Sequence, residues 1–403
     1  MNKPKIRFKG YTEDWEQRKF GEIVEKYEDP VSTPTDGYMR LGIRSHAKGT
    51  FHSYVEAGKE LETAKMFRVA SDKFIVNITF GWEHAVAITD ENDAGKLVSH
   101  RFPQYSFRSG MASKFFRYLI LDGRFKHHLE LSSPGGAGRN RVLKLSDMLD
   151  YQMKFPRIEE QLEIAAYFDN LDKLITLHQR KCEQTKKLKK YMLQKMFPKN
   201  GEKIPEIRFE GFTDDWEQRK AGDIAEYSKG NGYSKSDLTE SGTPIILYGR
   251  LYTKYQFVIN EVDTFAVPKE GAVYSEGNEV IVPASGETAE DIARASAVEK
   301  PGVLLGGDLN ILHPFDFINP LFLALTISNG EPQKELAKRA QGKSVVHIHN
   351  SDIQELCISY PTRTEQDKII AVFRNLDNLI TLHQRKCEEL QKIKKYMLQN
   401  MFV

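Results

Sequence analysis

Two histidine–cysteine pairs are the residues in this sequence whose types and spacing most directly suggest chemistry. His178 precedes Cys182 by four positions and His383 precedes Cys387 by the same interval, so each imidazole shares a helix face with a thiol. Two thiolates and two imidazoles could together bind zinc. The alternative is a helix–helix seam, in which cysteine packs as a small apolar side chain. We favour the seam and predict no metal site.

Motifs of catalysis are otherwise sparse. The sequence contains no Gly-x-x-x-x-Gly-Lys-[Ser/Thr] phosphate loop, which argues against an ATPase. Asn319-Pro320-Leu321-Phe322 superficially resembles the Asn-Pro-Pro-[Tyr/Phe] motif of amino-methyltransferases, but it lacks the second proline and no glycine-rich cofactor motif precedes it. We therefore predict a protein that is not an enzyme and needs no cofactor. A self-contained nuclease or methyltransferase, and a purely structural coiled-coil adaptor, are the alternatives.

The elements that carry these residues come from an internal duplication. Residues 4–19 recur at 205–220, and residues 170–197 return at 375–402 with 22 of 28 positions identical. The two offsets, 201 and 205, are so similar that a unit of about 200 residues has been duplicated as a whole. The intervening stretches, Phe20 to Tyr151 and Ala221 to Leu356, show almost no match. Along the chain, segments that differ between the two repeats therefore alternate with segments that are nearly the same, in the order variable, constant, variable, constant.

The constant blocks have the pattern of long helices. Their apolar positions alternate in steps of four and three, the seam of a coiled coil. Pro156 and Pro361 precede the two runs, and neither is interrupted by glycine or proline before Pro198 and the chain end. We predict that the helices pair with each other in antiparallel fashion. The seam positions are Ile164, Phe168, Leu171, Ile175, His178 and Cys182 in the first helix, and Ile369, Phe373, Leu376, Ile380, His383 and Cys387 in the second.

The variable regions have the pattern of α/β domains. Strand-like segments occur at 73–80, 95–100, 271–274, 280–283 and 302–305, and helical patterns follow at 114–131 and 320–340. The predicted fold class is α/β (α+β), with two loop-rich domains joined by a long antiparallel two-helix coiled coil with pseudo-twofold symmetry. The predicted boundaries are 1–156 for the first domain, 157–197 for the first helix, 198–206 for a linker, 207–361 for the second domain and 362–403 for the second helix.

Composition limits the class of protein. The 403 residues are 40% apolar and 28% charged, and no apolar run approaches the roughly 20 residues that cross a bilayer. The N-terminus lacks a signal peptide's apolar stretch, and only three cysteines occur. We predict a cytoplasmic protein without a membrane partner. The net charge of +2 is too small to argue for nucleic-acid binding by itself.

The first helix has a strongly basic end. Between Gln179 and Lys195 there are seven lysines or arginines against one acid, Glu183. Such a surface could attract the DNA backbone. A solvated helix face or an acidic protein partner explains it equally well.

Both repeats resemble the DNA-specificity subunits of bacterial type I restriction-modification enzymes, over essentially the entire chain. Each half opens on Phe-x-Gly-[Tyr/Phe]-Thr-x-Asp-Trp-Glu-Gln-Arg-Lys, and each helix contains Leu-Ile-Thr-Leu-His-Gln-Arg-Lys-Cys-Glu. Residues 38–51 are similar to the family's loop before its second strand. Residues 230–235, with 242–245 and 247–250, resemble the other common type of target domain.

The resemblance implies a function in which the variable regions are target-recognition domains. Each would read one half of a bipartite site on double-stranded DNA, and the helices would set the spacing between the half-sites. By the same resemblance, the helices dock two adenine-N6 methyltransferase subunits, to which two ATP-dependent restriction subunits can add. A rigid spacer suits this task, because a split site can be read only if the half-site distance is constant.

Candidate DNA contacts follow from the side chains that favour phosphates and base edges. They cluster on polar and glycine-rich loops, although solvated surface is the alternative for any single residue. In the first domain they are Arg44, Ser45, His46, Lys48, Thr79, Phe80, Gly81, Trp82, Arg139, Asn140 and Arg141. In the second they are Lys229, Asn231, Tyr233, Lys235, Tyr248, Arg250, Ser285, Gly286, Arg339, Gln341 and Lys343.

Overall fold

The structure is a computed structural model that describes residues 3–60, 65–135, 141–199, 201–342 and 345–402. Its contacts divide the chain into two compact units. Unit 1 comprises residues 1–179 and 385–403, and unit 2 comprises residues 180–384. Across the described ranges, no helix is both long and apolar enough to cross a bilayer.

The globular part of unit 1 is built from two sheets and a ribbon. A four-stranded antiparallel sheet has the order β2-β10-β7-β8, and a five-stranded sheet has the order β3-β6-β9-β4-β5, with β4 and β9 parallel. The ribbon pairs β1 with β11. The strands are β1 (Glu16–Lys19), β2 (Val24–Tyr27), β3 (Pro30–Ser32), β4 (Tyr38–Ile43), β5 (Thr50–Val55), β6 (Lys65–Arg68), β7 (Lys73–Val76), β8 (Val86–Ile88), β9 (Leu97–Val98), β10 (Gln104–Phe107) and β11 (Gln152–Phe155).

Unit 2 has a different set of sheets. Five strands follow the order β13-β22-β18-β20-β16, four follow β14-β17-β15-β21, and two ribbons pair β12 with β24 and β19 with β23. The strands are β12 (Glu217–Lys220), β13 (Ala225–Lys229), β14 (Leu238–Thr239), β15 (Thr243–Ile246), β16 (Val258–Ile259), β17 (Phe265–Ala266), β18 (Glu279–Pro283), β19 (Ser285–Gly286), β20 (Ser296–Val298), β21 (Leu304–Leu305), β22 (Leu309–Pro314), β23 (Val346–His347) and β24 (Cys357–Tyr360).

Two helices of 38 residues dominate the helical content. Each begins soon after a proline, which disfavours the helical conformation in the residue before it. The helices are α1 (Phe20–Ile23), α2 (Ser113–Leu119), α3 (Gly123–Leu131), α4 (Leu145–Leu149), α5 (Ile158–Lys195), α6 (Arg250–Thr253), α7 (Ala289–Ile292), α8 (Pro320–Ile327), α9 (Gly330–Arg339), α10 (Asn350–Gln354) and α11 (Arg363–Asn400).

The long helices run antiparallel within each unit. In unit 1, Lys394 of α11 contacts Asp172 of α5 at 2.5 Å. In unit 2, Lys189 of α5 contacts Asp377 of α11 at 2.6 Å. Each ion pair is the repeat counterpart of the other, because both lysines and both aspartates are separated by 205 positions. The predicted fold class, α/β domains with an antiparallel pair of long helices, is confirmed.

The conserved tryptophan of each repeat closes a core made of both helices. Trp15 packs edge to face against Phe115 and against Phe402 at the end of α11. Trp216 packs in the same way against Phe322 and Phe197, just beyond the end of α5. Each unit is therefore completed by the helix that does not begin in it.

A pair of buried ion pairs also repeats. Arg7 donates to both carboxylate oxygens of Glu160 at 2.7 Å, and Arg208 donates to Glu365 at 2.8 and 2.9 Å. Both glutamate side chains are only 1% exposed. Two charges removed from water are stable only when well paired, and these bidentate bonds fix the start of each repeat to the first turn of a long helix.

Several details of the secondary structure differ from the sequence predictions. The strands predicted at 73–80, 95–100 and 302–305 are shorter, because β7, β9 and β21 cover only 73–76, 97–98 and 304–305. Residues 271–274 are not a strand: a single bridge joins Tyr274 to Leu304, and Gly271 has a positive φ that ends regular pairing. The helical pattern at 114–131 is split into α2 and α3, and that at 320–340 into α8 and α9. Gly123 and Gly330 begin the second helix of each pair, and the short turns before them stop the first helix.

The Asn-Pro-Leu-Phe segment has a structural role. The Asn319 side-chain oxygen accepts hydrogen bonds from the amides of Leu321 and Phe322 at 2.8 and 3.2 Å, which caps α8. Pro320 occupies the first turn, where a missing amide proton costs nothing. Phe322 is fully buried. This arrangement is a helix start rather than a substrate clamp.

Candidate nucleic-acid interface

Two turns of unit 1 are held together by hydrogen bonds. Residues 44–49 connect β4 to β5, and residues 77–85 connect β7 to β8. The His46 amide donates to the Glu83 carbonyl at 2.8 Å, and the Ser45 hydroxyl donates to the Glu83 carboxylate at 2.5 Å. Two groups of candidate residues that are distant in sequence therefore lie side by side.

The backbone of these turns is strained. Of the four non-glycine residues with positive φ in the described part of the chain, three belong to this pair of turns: His46 (62°), Ala47 (50°) and His84 (62°). The Ala47 amide donates to the His84 carbonyl at 2.8 Å, which holds both in place. Such conformations cost about 1–3 kcal/mol each and are typically found at functional sites.

His84 anchors the second turn to the core. Its Nε2 lies 2.8 Å from the Ile120 carbonyl and donates to it, and the ring is almost fully buried. Burial lowers the pKa of His84 below its ordinary value of 6.5, because a charged imidazole would lose its hydration.

Of the third group of candidates in unit 1, residues 139–141, Arg141 lies beside the turn at 77–85. The Arg141 guanidinium lies over the Trp82 ring, 5.5 Å from its centroid. The Leu143 amide donates to the Ile78 carbonyl at 2.8 Å, which brings this segment against the second turn. The candidates Arg139 and Asn140 lie outside the described residues.

A groove of about 420 Å³ lies beside the two turns. Three candidates, Ser45, Thr79 and Phe80, line it, together with Glu83. Its other lining residues include Arg40, Asn77 and Arg101, which are not among the candidates predicted from the sequence. Arg40 lies inside the segment 38–51 that carried the family resemblance, so that segment was the available signal. No local pattern marks Arg101, which a turn after β9 brings to the groove.

The remaining unit 1 candidates differ in exposure. Arg44, His46 and Lys48 are exposed, and the Arg44 guanidinium lies 5.3 Å from the centroid of Phe51. Gly81 is buried against Leu143, so it is a packing position.

In unit 2, the glycine-rich loop at 230–232 is held by backbone bonds. The Gly230 and Asn231 amides donate to the carbonyls of Leu309 and Leu305, both at 3.1 Å. A side chain at Gly230 would collide with the Gly306 carbonyl, which explains the glycine. The Asn231 side chain donates to the Gly271 carbonyl at 2.7 Å.

The basic and aromatic residues around this loop are divided between surface and support. Lys229 and Lys235 are exposed. Tyr233 is buried, its hydroxyl accepts the Lys269 amide at 2.7 Å, and the Lys269 ammonium lies 5.0 Å from its ring centroid. Lys269 also holds the pKa of Asp237 at about 2, by a hydrogen bond to that carboxylate.

Arg250 positions its own segment. Its guanidinium donates to the Asp263 carboxylate at 2.5 Å and to the Gln256 side chain at 3.2 Å, and the side chain is only 9% exposed. The hydrogen bonds from Lys254 and Arg250 hold the pKa of Asp263 well below its usual range. Tyr248 is half-buried beside Tyr252, with ring centroids 6.1 Å apart.

The last candidates of unit 2 form a second cluster. Ser285 pairs with His347 in a short ribbon, and its hydroxyl lies 3.1 Å from His347 Nδ1. Gly286 pairs with Val346 in the same ribbon. Gln341 exchanges two backbone hydrogen bonds with His347, at 3.1 and 2.8 Å. Arg339 is half-buried at the end of α9, and Lys343 lies outside the described residues.

The turn at 306–308 connects the two clusters of unit 2. The Ala284 amide, next to Ser285, donates to the Asp308 carbonyl at 2.9 Å. Gly307 approaches the Gly232 amide so closely that an added Cβ would lie 3.1 Å from it. This turn was not predicted as part of the site, although its Gly306-Gly307 pair is a turn signal.

The long helices keep most predicted seam positions out of solvent. Those that are buried are Ile164, Phe168, Leu171, Ile175, Cys182, Ile369, Phe373, Leu376 and Cys387. Ile380, His178 and His383 are half-buried. Within the described ranges, no group of three or more His, Cys, Asp or Glu residues is arranged to hold a metal ion.

Each domain is also tied to the long helices through its own residues. In unit 1, the Tyr118 hydroxyl donates to Asp169 at 2.7 Å and to Asp172 at 3.0 Å, and burial together with these carboxylates raises its pKa. In unit 2, the Lys189 ammonium that pairs with Asp377 lies 5.2 Å from the centroid of Phe257. Unlike sheets are therefore attached to equivalent points of the helix pair.

Comparison with known proteins identifies the family of this chain. The model of the type I restriction modification DNA specificity domain matches the chain twice, over residues 12–187 and 213–392. The chain belongs to this family. It is a specificity subunit of a type I restriction-modification system, a non-catalytic subunit for DNA recognition.

Relatives support the assignment over most of the chain. The specificity subunit of the type I restriction enzyme MjaVIII from Methanocaldococcus jannaschii is 22% identical over 293 residues, covering 70% of this chain and 68% of that protein.

Solved structures share the fold. The specificity subunit of a type I restriction-modification system from M. genitalium superposes with a TM-score of 0.62 at 14% identity, covering 100% of this chain and 99% of that one. A chain from a structure describing complex assembly and conformational transition of the type I system has a TM-score of 0.50 at 16% identity and covers 96% and 97%.

Proposed function

We propose that each unit of this specificity subunit reads one half of a bipartite DNA site, while α5 and α11 hold the two half-sites at a fixed separation. The observation that carries the proposal is a repeated frame with unlike contents. The Arg–Glu pairs, the tryptophan cores and the Lys–Asp pairs recur in both units, whereas the sheets and loops attached to them differ. A common frame with different loops suits two different half-sites.

The candidate DNA surface of unit 1 comprises the joined turns, Arg141 and the groove. That of unit 2 comprises the loop at 230–232, the turn at 306–308 and the ribbon around Ser285. Exposed Arg44, Lys48, Lys229 and Lys235 suit phosphate contacts, which supply affinity without sequence preference. A protein that reads DNA in this way would work in the cytoplasm.

The long helices would dock two methyltransferase subunits, and two restriction subunits could add to these. Each unit exposes apolar side chains on the helix surface, at positions repeated by an offset of 205: Leu174, Leu177, Ile393 and Tyr396 in unit 1, and Leu379, Leu382, Leu188 and Tyr191 in unit 2. The spacing of three between members of each pair keeps them on one helix side. Contiguous exposed apolar surface typically marks a protein interface.

The docking proposal is tested with Leu177→Asp combined with Leu382→Asp. An aspartate in the centre of each apolar patch should abolish copurification of the methyltransferase subunit, because burying an unpaired charge is costly. The chain should remain folded, since both leucines are exposed. Leu162→Asp is the control: Leu162 is also exposed on α5, but its repeat counterpart is Asp367. Equal copurification of the double variant and the control would refute this docking surface.

A further inference from the structure

The groove of unit 1 is lined by an arginine of strand β4. Arg40 is half-buried on β4 and lines the groove, yet among the described residues its guanidinium has no hydrogen-bond or ion-pair partner. The buried arginines Arg7 and Arg208, by contrast, each make a bidentate ion pair with a glutamate carboxylate. A guanidinium kept in a groove without a partner has its donors available for a ligand.

Aromatic side chains form part of the groove wall. Phe51, Phe80 and Phe102 line it, and Phe51 and Phe80 are exposed. The Phe51 ring lies against Gly42, where an added Cβ would meet the end of the ring and force it to shift, and the Arg44 guanidinium lies over the ring. Gly42 therefore allows this wall to stand beside Arg40.

A single carboxylate provides the acceptor. One oxygen of Glu83 accepts the Ser45 hydroxyl, and the other receives no hydrogen bond from the described residues. The strained turns around His46 and His84 hold this carboxylate at the groove. The site is therefore preorganised before any ligand arrives.

This set of groups matches one base pair. In the major groove, guanine presents two acceptors that suit the fork of an arginine, and cytosine presents an amino donor that suits a carboxylate. We propose that the groove of unit 1 reads a G·C pair, with Arg40 donating to guanine and Glu83 accepting from cytosine. Arg101 is exposed at the rim, and its guanidinium has no bonding partner among the described residues. In this proposal it contacts a flanking phosphate.

The inference rests on the proposed function, and the test separates the two. The full complex of specificity and methyltransferase subunits is used to map modified adenines on a randomised DNA library. The half-site read by unit 1 is assigned by exchanging residues 20–151. A library with no bipartite motif would defeat the proposed function itself.

Given a bipartite motif, the wild-type half-site of unit 1 should contain a G·C pair. Arg40→Ala should lower the preference for that pair by about 10- to 100-fold, the range of a bidentate contact, and leave every other position unchanged. Arg40→Lys should keep binding but lose most of this preference, because an ammonium lacks the fork. Arg101→Ala should weaken binding to all sequences alike and reduce its salt dependence.

Arg68→Ala is the control, because Arg68 pairs with Asp29 on the surface of the same sheet and does not line the groove. The inference is overturned by a unit 1 half-site without a G·C pair, by unchanged specificity of both Arg40 variants, or by a base-specific effect of Arg101→Ala. Arg40→Lys keeps the test decisive if Arg40→Ala fails to fold.

Discussion

At the scale of single residues, the paired charges Arg7–Glu160 and Arg208–Glu365 are the clearest product of the duplication. The sequence shows that the Arg-Phe and Glu-Gln dipeptides recur, but not that they meet. The partners are 153 and 157 positions apart, and a pair so distant leaves no periodic signal. Their contact depends on how the whole unit folds, so only the structure assigns it.

Glu160→Ala is expected to destabilise the protein by about 3–5 kcal/mol, because it leaves the Arg7 guanidinium partly buried without its carboxylate. Glu365→Ala should have a similar effect through Arg208. Denaturant unfolding measures both. Glu159→Ala, at an exposed position of the same helical turn, is the control and should change little. Equal stability of Glu160→Ala and the control would contradict the account.

The buried imidazole of His84 predicts a pH dependence. The pKa of His84 in the folded state lies below its unfolded-state value of about 6.5. At pH values between these two pKa values, the unfolded chain therefore binds more protons than the folded chain. Its contribution to stability is complete above about pH 6.5 and is lost as the pH falls towards the folded-state pKa. Unfolding at about pH 7.5 and about pH 5.5 measures the loss. His84→Gln should show a smaller difference, and an identical difference in both proteins would rule out this role.

At the scale of elements, the long helices were predictable from the sequence, because their apolar positions repeat with helical spacing along the whole helix. The sheets were harder to predict. Strands such as β9 and β21 have two residues each and cannot be recognised by alternation. Residues 271–274 look like a strand but pair only at Tyr274. Long-range pairing decides these segments, and a local pattern does not record it.

The antiparallel register of α5 and α11 is tested through Lys189 and Asp377, whose side chains are 20% and 31% exposed. Lys189→Glu and Asp377→Lys should each destabilise the protein, and the double variant should recover part of the loss because the charges are reversed together. The coupling in a double-mutant cycle should be about 0.2–1 kcal/mol. Lys187→Glu with Asp377→Lys is the control and should be additive. Additivity for the first pair as well would contradict the register.

At the scale of the whole molecule, the duplication made the modular organisation visible in the sequence. Which segments of the chain form each unit could not be seen there. Residues 385–403 complete unit 1, although they follow the second variable region. Phe402 reaches Trp15 and Phe197 reaches Trp216, so each core needs a helix end from the other repeat. Truncation before residue 385 would therefore remove part of unit 1.

The sequence predicted groups of neighbouring candidate residues, but not how these groups come together in the fold. The turns at 44–49 and 77–85 were both singled out, and the structure brings them together. Arg40 and the turn at 306–308 were not, because a groove and a turn-to-turn contact exist only once the sheets have formed. Arg250 was singled out for its side-chain chemistry, and nothing in the sequence indicated that its guanidinium binds Asp263.

Exchanging residues 20–151 for the variable region of another specificity subunit tests the central claim most directly. The constant positions around it, including Trp15, Glu160 and the helix pair, stay in place. Mapping of modified adenines in cells carrying the hybrid and its methyltransferase subunit should reveal a new sequence in one half-site, with the other half-site and the gap between them retained. A hybrid that changes both half-sites, or neither, would contradict independent reading by the two units.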